Sequence, residues 1–476
     1  MASAESLKML EFCKISPPSV ADFSLPLTFS DLIWMKFHPV ERLFFYSFHH
    51  LDSDSDSDSS FFFDSVVPKL KHSLSLNLQH FLPLAGNIVW PSNSQKPIFK
   101  FIPGDGVSLI IAESDADFHH LSGNSPVEAI KSRPLVPHLD SSDSISSVIS
   151  LQITLFPNRG FCIGISAHHA ALDGKSTIMF MKAWAYICQN GVESPSLLPE
   201  LQPFLNREVI KDPNGLDVFF VNQWKKLAEK MDPSSVNQQS LKILFSFPPG
   251  LEESLRATFE LSRSNLEKIK NKVLLMWDNT GNGEESIHSK PPTLSTFVAT
   301  SSYVIVCIVK ALKAIQNNHD KFLFGFTVDC RSRLEPPIPE NYFGNCVCPH
   351  VAAVQPEEIT KENGLISVAK KIYSKVKKLD KGVLDGIDGL FTKWDSLISE
   401  GVQAIGVAGS TRFGVYGTDF GWGRPVKVEI TSIDRGLTMA FAESRDGNGG
   451  IEIGLVMNKH AMNAFANIFH EGLQSL

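Results

Sequence analysis

The segment HHAALDG, residues 168–174, contains residue types that could take a proton from a substrate. His169 precedes Asp173 by four residues, and a neutral imidazole can remove a proton from a hydroxyl because its pKa lies near working pH. The spacing alone is not specific, since His50 and Asp54 repeat it within the low-complexity run HLDSDSDSDSS. Two structural alternatives stay open at this point, a packed core histidine and a helix N-cap at the aspartate.

The flanking elements indicate how firmly this segment is held. The runs SSVISLQITLF and FCIGISA, joined by PNRG, predict a β-hairpin whose second strand leads directly into the segment. The following run, KSTIMFMKAWAYIC, is apolar almost all round and predicts a buried helix. His169 therefore lies where a strand meets a buried helix, a place at which side chains commonly line clefts.

The rest of the chain mixes helical and strand patterns. Apolar residues recur at helical spacing from Val67 to Phe81, Leu294–Ile315 predicts a long buried helix, and the chain closes on an amphipathic helix containing Phe465. KFLFGFTVDC predicts a strand, and PVKVEITSI, LTMAFAES and IEIGLVM predict a three-stranded meander. The alternating aspartates and serines of residues 52–59 predict a surface loop.

These patterns predict an α+β protein in two halves. We expect a first half at residues 1–194, which carries His169, and a second half at residues 221–476. The proline-rich stretch of low periodicity between them, residues 195–220, predicts a crossover connector.

Composition narrows the class of protein. The chain has 476 residues, of which 43% are hydrophobic and 20% charged, and its net charge is −7. No basic excess is present, which argues against a protein that tracks nucleic-acid phosphates. The seven scattered cysteines predict reduced thiols in a cytoplasmic protein. We expect no secretory signal and no membrane span, because no run of 18 apolar residues occurs.

Two further motifs carry residues suited to a site. DFGWG, residues 419–423, predicts a rigid aromatic turn, and a protein kinase is excluded because the chain has no glycine-rich loop, HRD or VAIK motif. Arg331 and Arg333 end the apolar strand VDCRSR, where two guanidinium groups need carboxylate, phosphate or water partners.

The run CVCPH raises the question of a metal. Cys346, Cys348 and His350 would share one face of a strand, and three such ligands could bind zinc. Structural zinc sites usually use C-x-x-C pairs, no second pair lies nearby, and Pro349 interrupts the run. A buried strand without metal is therefore the favoured interpretation.

The ordered set of motifs is more specific than any one of them. HHAALDG after a hairpin, then YFGNC and then DFGWG, resembles the BAHD acyl-CoA-dependent acyltransferases of plants. LPLAGNI, VIKDPNG, VDCR and MNAFANIF also look like that family, and most like its malonyltransferase-like branch that acylates anthocyanin, flavonoid and other phenolic glucosides. The resemblance covers essentially the whole chain. It implies a two-domain fold like that of chloramphenicol acetyltransferase, each half a mixed β-sheet flanked by helices, with a channel between the halves.

The resemblance also implies roles for individual residues. His169 matches the general base, whereas Asp173 matches an aspartate that points away from the channel, toward an arginine that corresponds to Arg331. Trp422 corresponds to a candidate hydrogen-bond donor to the oxyanion. The remaining motif positions are expected to shape the site, and they are Tyr342, Asn345, Asp419, Phe420, Gly421 and Gly423.

The implied reaction transfers an acyl group from a coenzyme A thioester to a sugar hydroxyl. Acyl-CoA would be a co-substrate, and we expect a monomer without permanently bound cofactor, metal, nucleic acid or membrane. A malonyl donor needs a cation for its free carboxylate, whereas a p-coumaroyl or caffeoyl donor needs an apolar slot. Malonyl is favoured, and both donors stay open. Candidate contacts of the acyl carboxylate or of coenzyme A are Lys175, Arg333 and Ser410.

The chain departs from the family pattern at two places. Where the family helix commonly carries Cys-Ala-Tyr and a tryptophan, this chain has Ser301-Ser302-Tyr303 and Ile305, and the aspartate expected before the arginine of RxxIKDP is Asn206. Both departures leave the acceptor's aglycone and the acylated hydroxyl open. Three alternatives from other classes are a water-only acyl-CoA thioesterase, a binding protein without turnover and a zinc protein built on CVCPH.

Overall fold

The computed structural model describes residues 7–18, 20–48, 59–191, 196–235, 239–244, 250–277, 291–315, 321–359, 361, 363–380 and 382–476. The acidic loop predicted at residues 52–59 lies, except for Ser59, outside the described residues, as does the pair His50 and Asp54.

Strands and α-helices follow one another irregularly along the described chain. The strands are β1 (Leu7–Ile15), β2 (Phe23–Pro26), β3 (Val40–Ser47), β4 (Asn87–Val89), β5 (Ile98–Phe101), β6 (Val107–Ser114), β7 (Val127–Glu128), β8 (Ile145–Ser147), β9 (Ile149–Phe156), β10 (Gly160–Ala167), β11 (Ser254–Leu261), β12 (Phe322–Asp329), β13 (Val347–Val354), β14 (Gln403–Gly409), β15 (Lys427–Ile430), β16 (Thr438–Glu443) and β17 (Ile451–Asn458). The α-helices are α1 (Phe29–Leu32), α2 (Val67–His80), α3 (Leu82–Ala85), α4 (Phe118–Leu121), α5 (Gly174–Asn190), α6 (Leu216–Met231), α7 (Arg263–Trp277), α8 (Thr296–Ala314), α9 (Pro356–Ile359), α10 (Gly364–Lys378), α11 (Leu390–Ser399) and α12 (Lys459–Gln474).

The first large sheet has the strand order β1-β6-β9-β10-β3-β15. Its centre is the predicted hairpin, in which β9 and β10 pair antiparallel and every residue is buried. Such continuous apolar strands are expected where both faces of a sheet are covered. Asn158 makes the turn with φ of 60°, a conformation that asparagine tolerates better than most residues. The hairpin prediction is confirmed, and its second strand ends two residues before His169.

The second large sheet has the order β13-β12-β14-β16-β17-β11-β7, and a smaller sheet has the order β2-β5-β4-β8. The predicted C-terminal meander is wrong, because β16 and β17 pair with each other but β15 pairs with β3 of the first sheet. In the opposite direction, β7 pairs with β11 of the second sheet. Each large sheet thus includes one strand from the other half of the sequence.

The described core residues form two main clusters, one for each large sheet. The first contains side chains of β9, β10, α2 and α5, and the second contains side chains of β12, β17, α8 and α12. Helix α8 is long and apolar enough to cross a membrane by length and composition, yet its residues from Val298 to Val309 are buried in the second cluster. The α+β class is confirmed, while the boundaries at 194 and 220 stay a prediction.

The DFGWG turn is fixed against α5. Asp419 Oδ1 accepts hydrogen bonds from the backbone N–H groups of Gly421 and Gly423, at 2.8 and 3.1 Å. These glycines have φ of +104° and +101°, a region that side chains rarely adopt. Phe420 is fully buried and meets Trp184 of α5 edge-on, with ring centroids 4.9 Å apart. The turn therefore contributes Phe420 to the first core cluster, where it packs against α5.

Truncating this aromatic anchor should destabilise the fold. We expect Phe420→Ala to reduce the free energy of unfolding by about 3–5 kcal/mol, because it leaves a cavity between α5 and the first sheet. The measurement is the midpoint of urea unfolding. The control is Phe12→Ala on β1, where the side chain is 63% exposed and the change should stay within about 0.5 kcal/mol. Equal shifts for the two variants would contradict the assigned role.

Candidate active site

His169 lies in an aromatic enclosure just beyond the end of β10. Its imidazole stacks on Trp34 with ring centroids 4.4 Å apart and planes 6° from parallel, and Phe37 meets it edge-on at 5.9 Å. The side chain of Asn345 donates a hydrogen bond of 2.8 Å to the backbone oxygen of His169. Nδ1 of the imidazole is enclosed without a hydrogen-bond partner among the described residues. Nε2 is therefore the nitrogen left to meet a substrate.

This enclosure keeps the imidazole uncharged. Burial lowers the pKa of His169 to about 3, although its own backbone and, to a smaller extent, the carboxylate of Asp173 act in the opposite direction. Burial also lowers the pKa of the nearby His38 and His168, each to about 4. All three rings are neutral at pH 7, and a neutral imidazole is the form that accepts a proton.

Asp173 does not hydrogen-bond to the imidazole, because its oxygens are used elsewhere. Oδ1 accepts a hydrogen bond of 2.8 Å from the backbone of Ser176 and so caps α5. Oδ2 lies 2.8 Å from Nη2 of Arg331 and accepts a 3.1 Å hydrogen bond from the backbone of Cys346. The aspartate and arginine side chains are each 1% exposed. Asp173 thus connects the turn that carries His169 to the second half of the chain.

Arg331 is held by further groups. Burial lowers its pKa, but the carboxylates of Asp173 and Asp329 outweigh this effect and leave the pKa raised. The guanidinium group is therefore a permanent cation. Its other acceptors are Asp329 Oδ1 at 3.0 Å, the backbone oxygens of Tyr342 at 3.0 Å and Gly344 at 3.3 Å, and the hydroxyl of Ser176 at 3.3 Å.

A second buried carboxylate, Asp31, holds the segment YFGNC from the other side. It accepts hydrogen bonds from the backbone and hydroxyl of Thr28, both at 2.9 Å, and from the backbone of Asn345 at 3.1 Å. Nη1 of Arg207 lies 3.6 Å from Asp31 and donates to the hydroxyl of Tyr342. The amide of Asn345 that binds the backbone of His169 is therefore held beside an ion pair whose two charges, Asp31 and Arg207, come from separate parts of the chain.

The structure explains the residue type at two positions next to this network, Gly344 and Asn206. A Cβ atom at Gly344, where φ is +144°, would lie 1.8 Å from Nη1 of Arg207, so glycine is required. Asn206, which departs from the family pattern, accepts a 2.9 Å hydrogen bond from the backbone of Glu208 and caps the short 3₁₀-helix Arg207–Val209. Asparagine can thus fill the capping position that the family gives to aspartate.

Trp422 packs against the start of β10. Its ring meets Phe161 edge-on with centroids 6.1 Å apart, and Phe161 begins the strand that ends at Ala167. A β-strand advances about 3.3 Å per residue, so Phe161 and Ala167 lie roughly 20 Å apart along β10. A donor role at the oxyanion stays a prediction for Trp422, whose contact with Phe161 lies at the opposite end of β10 from His169. Its indole packs beneath Lys69, whose Nζ lies 5.3 Å from the ring centroid.

The three candidate contacts of a donor carboxylate or of coenzyme A are already engaged. Lys175 forms an ion pair with Glu340 and lies 3.9 Å from Asp329. Arg333 donates to the backbone oxygen of Asp329 at 3.0 Å and lies 3.7 Å from Asp380. Ser410 accepts a hydrogen bond of 3.2 Å from the backbone of Arg412. Binding a donor carboxylate at Lys175 would require it to give up an existing partner.

The CVCPH run belongs to a buried strand. Cys348 and His350 lie on β13, and within the described part of the chain no group of three or more histidine, cysteine or acidic side chains is placed to hold a metal ion. A small cavity adjoins Cys346 on the side of α1. It is lined mainly by apolar side chains, among them Phe29, Ile33, Ile210, Leu384 and Ile387.

Several residues of the site were not predicted from the sequence. Trp34 and Phe37 enclose the base, and the segment that contains them shows no motif beyond mixed aromatic residues. Asp31 had a local signal, because Thr28 and Asp31 form a capping box at the start of α1. Arg207 also had a signal in the sequence, because a lone arginine in a proline-rich connector needs a partner for its charge if it is buried.

Comparison with known proteins places the chain in a family. Residues 10–471 match the model of the Transferase family. Phenolic glucoside malonyltransferase 1 of Arabidopsis thaliana is 42% identical over 479 residues, which cover 99% of this chain and 98% of the relative. Malonyl-CoA:anthocyanidin 5-O-glucoside-6''-O-malonyltransferase of the same plant is 39% identical, covering 98% and 99%. Agmatine coumaroyltransferase, also from that plant, is 36% identical, covering 98% and 99%.

The fold is that of a solved relative. The crystal structure of vinorine synthase superposes with a TM-score of 0.65 at 20% identity, covering 96% of each chain, and this likeness confirms the predicted two-domain fold. Because the family model matches nearly the whole chain and relatives at 36–42% identity cover it end to end, this protein belongs to the Transferase family, the BAHD acyltransferases that its motifs resemble.

Proposed function

We propose that this protein transfers a malonyl group from malonyl-CoA to a sugar hydroxyl of a phenolic glycoside, such as a flavonoid or anthocyanin glucoside, with His169 as general base. The observation that carries the proposal is the full-length similarity to two enzymes named as malonyltransferases of such glucosides. The arrangement at His169 supports it, because a neutral imidazole with one free nitrogen is oriented by aromatic and backbone contacts.

The proposed reaction needs no covalent enzyme intermediate. Nε2 of His169 takes the proton of the sugar hydroxyl while the hydroxyl oxygen attacks the thioester carbonyl carbon. The tetrahedral intermediate collapses, the carbon–sulfur bond breaks, and the thiolate of coenzyme A takes the proton from the imidazolium. A thioester is already activated for acyl transfer, so positioning and the relay of one proton through the imidazole are enough.

The other groups of the site act through position. Asp173 and Arg331 hold the turn after β10, and Asn345 fixes the backbone of His169. We also propose that the protein acts as a monomer and binds acyl-CoA only as a co-substrate. All seven cysteines are free thiols, which supports a reducing compartment such as the cytoplasm.

A donor competition tests the proposal. The purified protein is offered equal malonyl-CoA and p-coumaroyl-CoA with a mixed panel of flavonoid and anthocyanin glucosides, and the products are identified by mass spectrometry. We expect malonylated glucosides. His169→Ala should abolish their formation, because no other proton acceptor replaces the imidazole, while the midpoint of thermal unfolding stays near that of the unchanged protein.

Three other results of the donor competition would each lead to a different conclusion. A coumaroyl product would keep the mechanism and replace the donor, as the similarity to a coumaroyltransferase allows. Loss of acyl-CoA without acylated glucoside would indicate a thioesterase. Full activity of His169→Ala would remove the proposed base.

The lowered pKa of His169 predicts how kcat/KM depends on pH. Because burial lowers this pKa to about 3, the free enzyme keeps its base in the neutral form throughout the range from pH 8 to pH 5. We therefore expect kcat/KM to show no loss with an apparent pKa near 6.5 as the pH falls. Enzyme held at pH 5 and assayed at pH 7.5 is the control for acid unfolding. An acid limb near pH 6.5 with full recovery would contradict the enclosed, desolvated histidine.

The arrangement around Asp173 predicts a loss of stability when its charge is removed. Asp173→Asn leaves the Arg331 guanidinium buried without its main carboxylate, which should reduce the free energy of unfolding by about 3 kcal/mol. Turnover of the fraction that stays folded should remain measurable, because the carboxylate does not hydrogen-bond to the imidazole. Calorimetry and kcat measured well below the unfolding midpoint separate the two effects. A variant of unchanged stability that is inactive would indicate direct electrostatic action on the base.

A further inference from the structure

Arg42 differs from the other deeply buried arginines. Its side chain is 2% exposed, and it forms no hydrogen bond or ion pair with any residue that the structure describes. The three comparable residues, Arg207, Arg256 and Arg331, each have a carboxylate partner in Asp31, Asp434 and Asp173. A buried guanidinium without a partner is strongly unfavourable, so a position that retains one calls for an explanation.

Arg42 faces a small cavity between the two large sheets, lined by residues of β3, β11, β15, β16 and β17. Apolar and small side chains from β15 and β16 form much of its wall. The wall also contains Glu429, which lies 3.6 Å from Arg256, and Glu452, which accepts a hydrogen bond from the hydroxyl of Tyr416. Each of these carboxylates therefore has a charged or hydrogen-bonding partner, although Nε of Arg256 and Oε2 of Glu429 themselves make no hydrogen bond. Among the described lining residues, Arg42 is the charged group that has neither an ion pair nor a side-chain hydrogen bond.

The nearest influence of opposite charge on Arg42 is Glu443. Burial lowers the pKa of Arg42 to about 10, and the carboxylate of Glu443 partly opposes this effect. The two groups do not form an ion pair within 4.0 Å, and one oxygen of Glu443 instead accepts a 3.0 Å hydrogen bond from the backbone of Tyr416. Arg42 thus stays positively charged at neutral pH with its hydrogen-bond donors unused.

The position of Arg42 relates the cavity to the proposed base. Arg42 on β3 lies opposite Ile165 on β10, roughly 7 Å along the strand before its end at Ala167. His169 follows two residues later. In a malonyl thioester the free carboxylate carbon is about 2.5 Å from the reacting carbonyl carbon, so its cation must be near the base. The long side chain of Arg42 begins near this end of the strand.

We propose that Arg42 binds the free carboxylate of the malonyl donor in this cavity. The inference rests on the proposed function and names the residue that would select a donor with a carboxylate. A guanidinium group presents two parallel N–H donors that match the two oxygens of a carboxylate, which supplies both affinity and orientation. Lys175 and Arg333 are less suited, because each already has an acidic partner.

The test compares two donors that differ by the carboxylate alone, malonyl-CoA and acetyl-CoA, with one glucoside that the unchanged protein acylates. We expect Arg42→Met to lower kcat/KM for malonyl-CoA by about 100-fold, in keeping with the loss of hydrogen bonds to a charged group. The value for acetyl-CoA should stay the same or rise. Arg42→Lys should retain part of the malonyl preference, and Lys175→Met, the matched control for another cation, should leave the donor ratio unchanged.

A stability measurement separates binding from a structural role. Replacing an unpaired buried cation by methionine should leave the midpoint of thermal unfolding unchanged or raise it. An equal loss with both donors, a malonyl preference that survives in Arg42→Met, or a loss of preference in Lys175→Met would each overturn the inference. Failure of the unchanged protein to use malonyl-CoA would overturn the proposed function itself, and this inference with it.

Discussion

The buried ion pair between Asp173 and Arg331 is the interaction on which the site depends. Asp173 starts α5 directly after the turn of the proposed base, and Arg331 follows the end of β12 in the second half of the chain. A buried pair is stable only when its remaining hydrogen-bonding capacity is filled. Here the backbone of YFGNC and of α5 fills it. The base is thus held at a fixed joint between two halves that are far apart in sequence.

A second pair, Asp31 and Arg207, extends this joint to α1 and to the connector. Both ion pairs meet at YFGNC, where Asn345 contacts Asp31 on one side and the backbone of His169 on the other. The consequence is a site whose geometry depends on four stretches of chain at once. Replacing any of these charged residues would shift the backbone that carries His169, even though the replaced residue does not contact the substrate.

The surroundings of His169 involve a compromise. Stacking on Trp34 and burial orient the ring, and they lower its pKa well below that of a free histidine. A ring that is so reluctant to hold a proton is a weak base in water. The proposed reaction tolerates this, because a thioester needs little activation and the proton passes on to the leaving thiolate. Arg42 represents a similar compromise, since an unpaired buried cation lowers stability until an anionic ligand binds.

Local patterns were enough to predict the hairpin β9–β10, the buried helices α5 and α8, and His169 at the junction of strand and helix, because hydrophobic periodicity reports burial one element at a time. The motif order was enough to indicate the family. The sequence could not place β15 beside β3, because strand pairing depends on partners hundreds of residues away. For the same reason, it could not show that Trp422 packs against Phe161 at the start of β10.

The positively charged residues show most clearly which features the sequence predicts and which only the tertiary structure decides. From the sequence, Lys175, Arg333 and Arg331 were equivalent positive charges near the motifs. The alternation of Arg42, Phe44 and Tyr46 along β3 did carry a signal, since it places an arginine on a face that is otherwise apolar. Which arginine lacks a partner is a property of the assembled sheets. The sequence by itself determined the elements, the family and the proposed base, whereas the tertiary structure alone decided which charges are paired, because ion pairing depends on distances between residues that are remote along the chain.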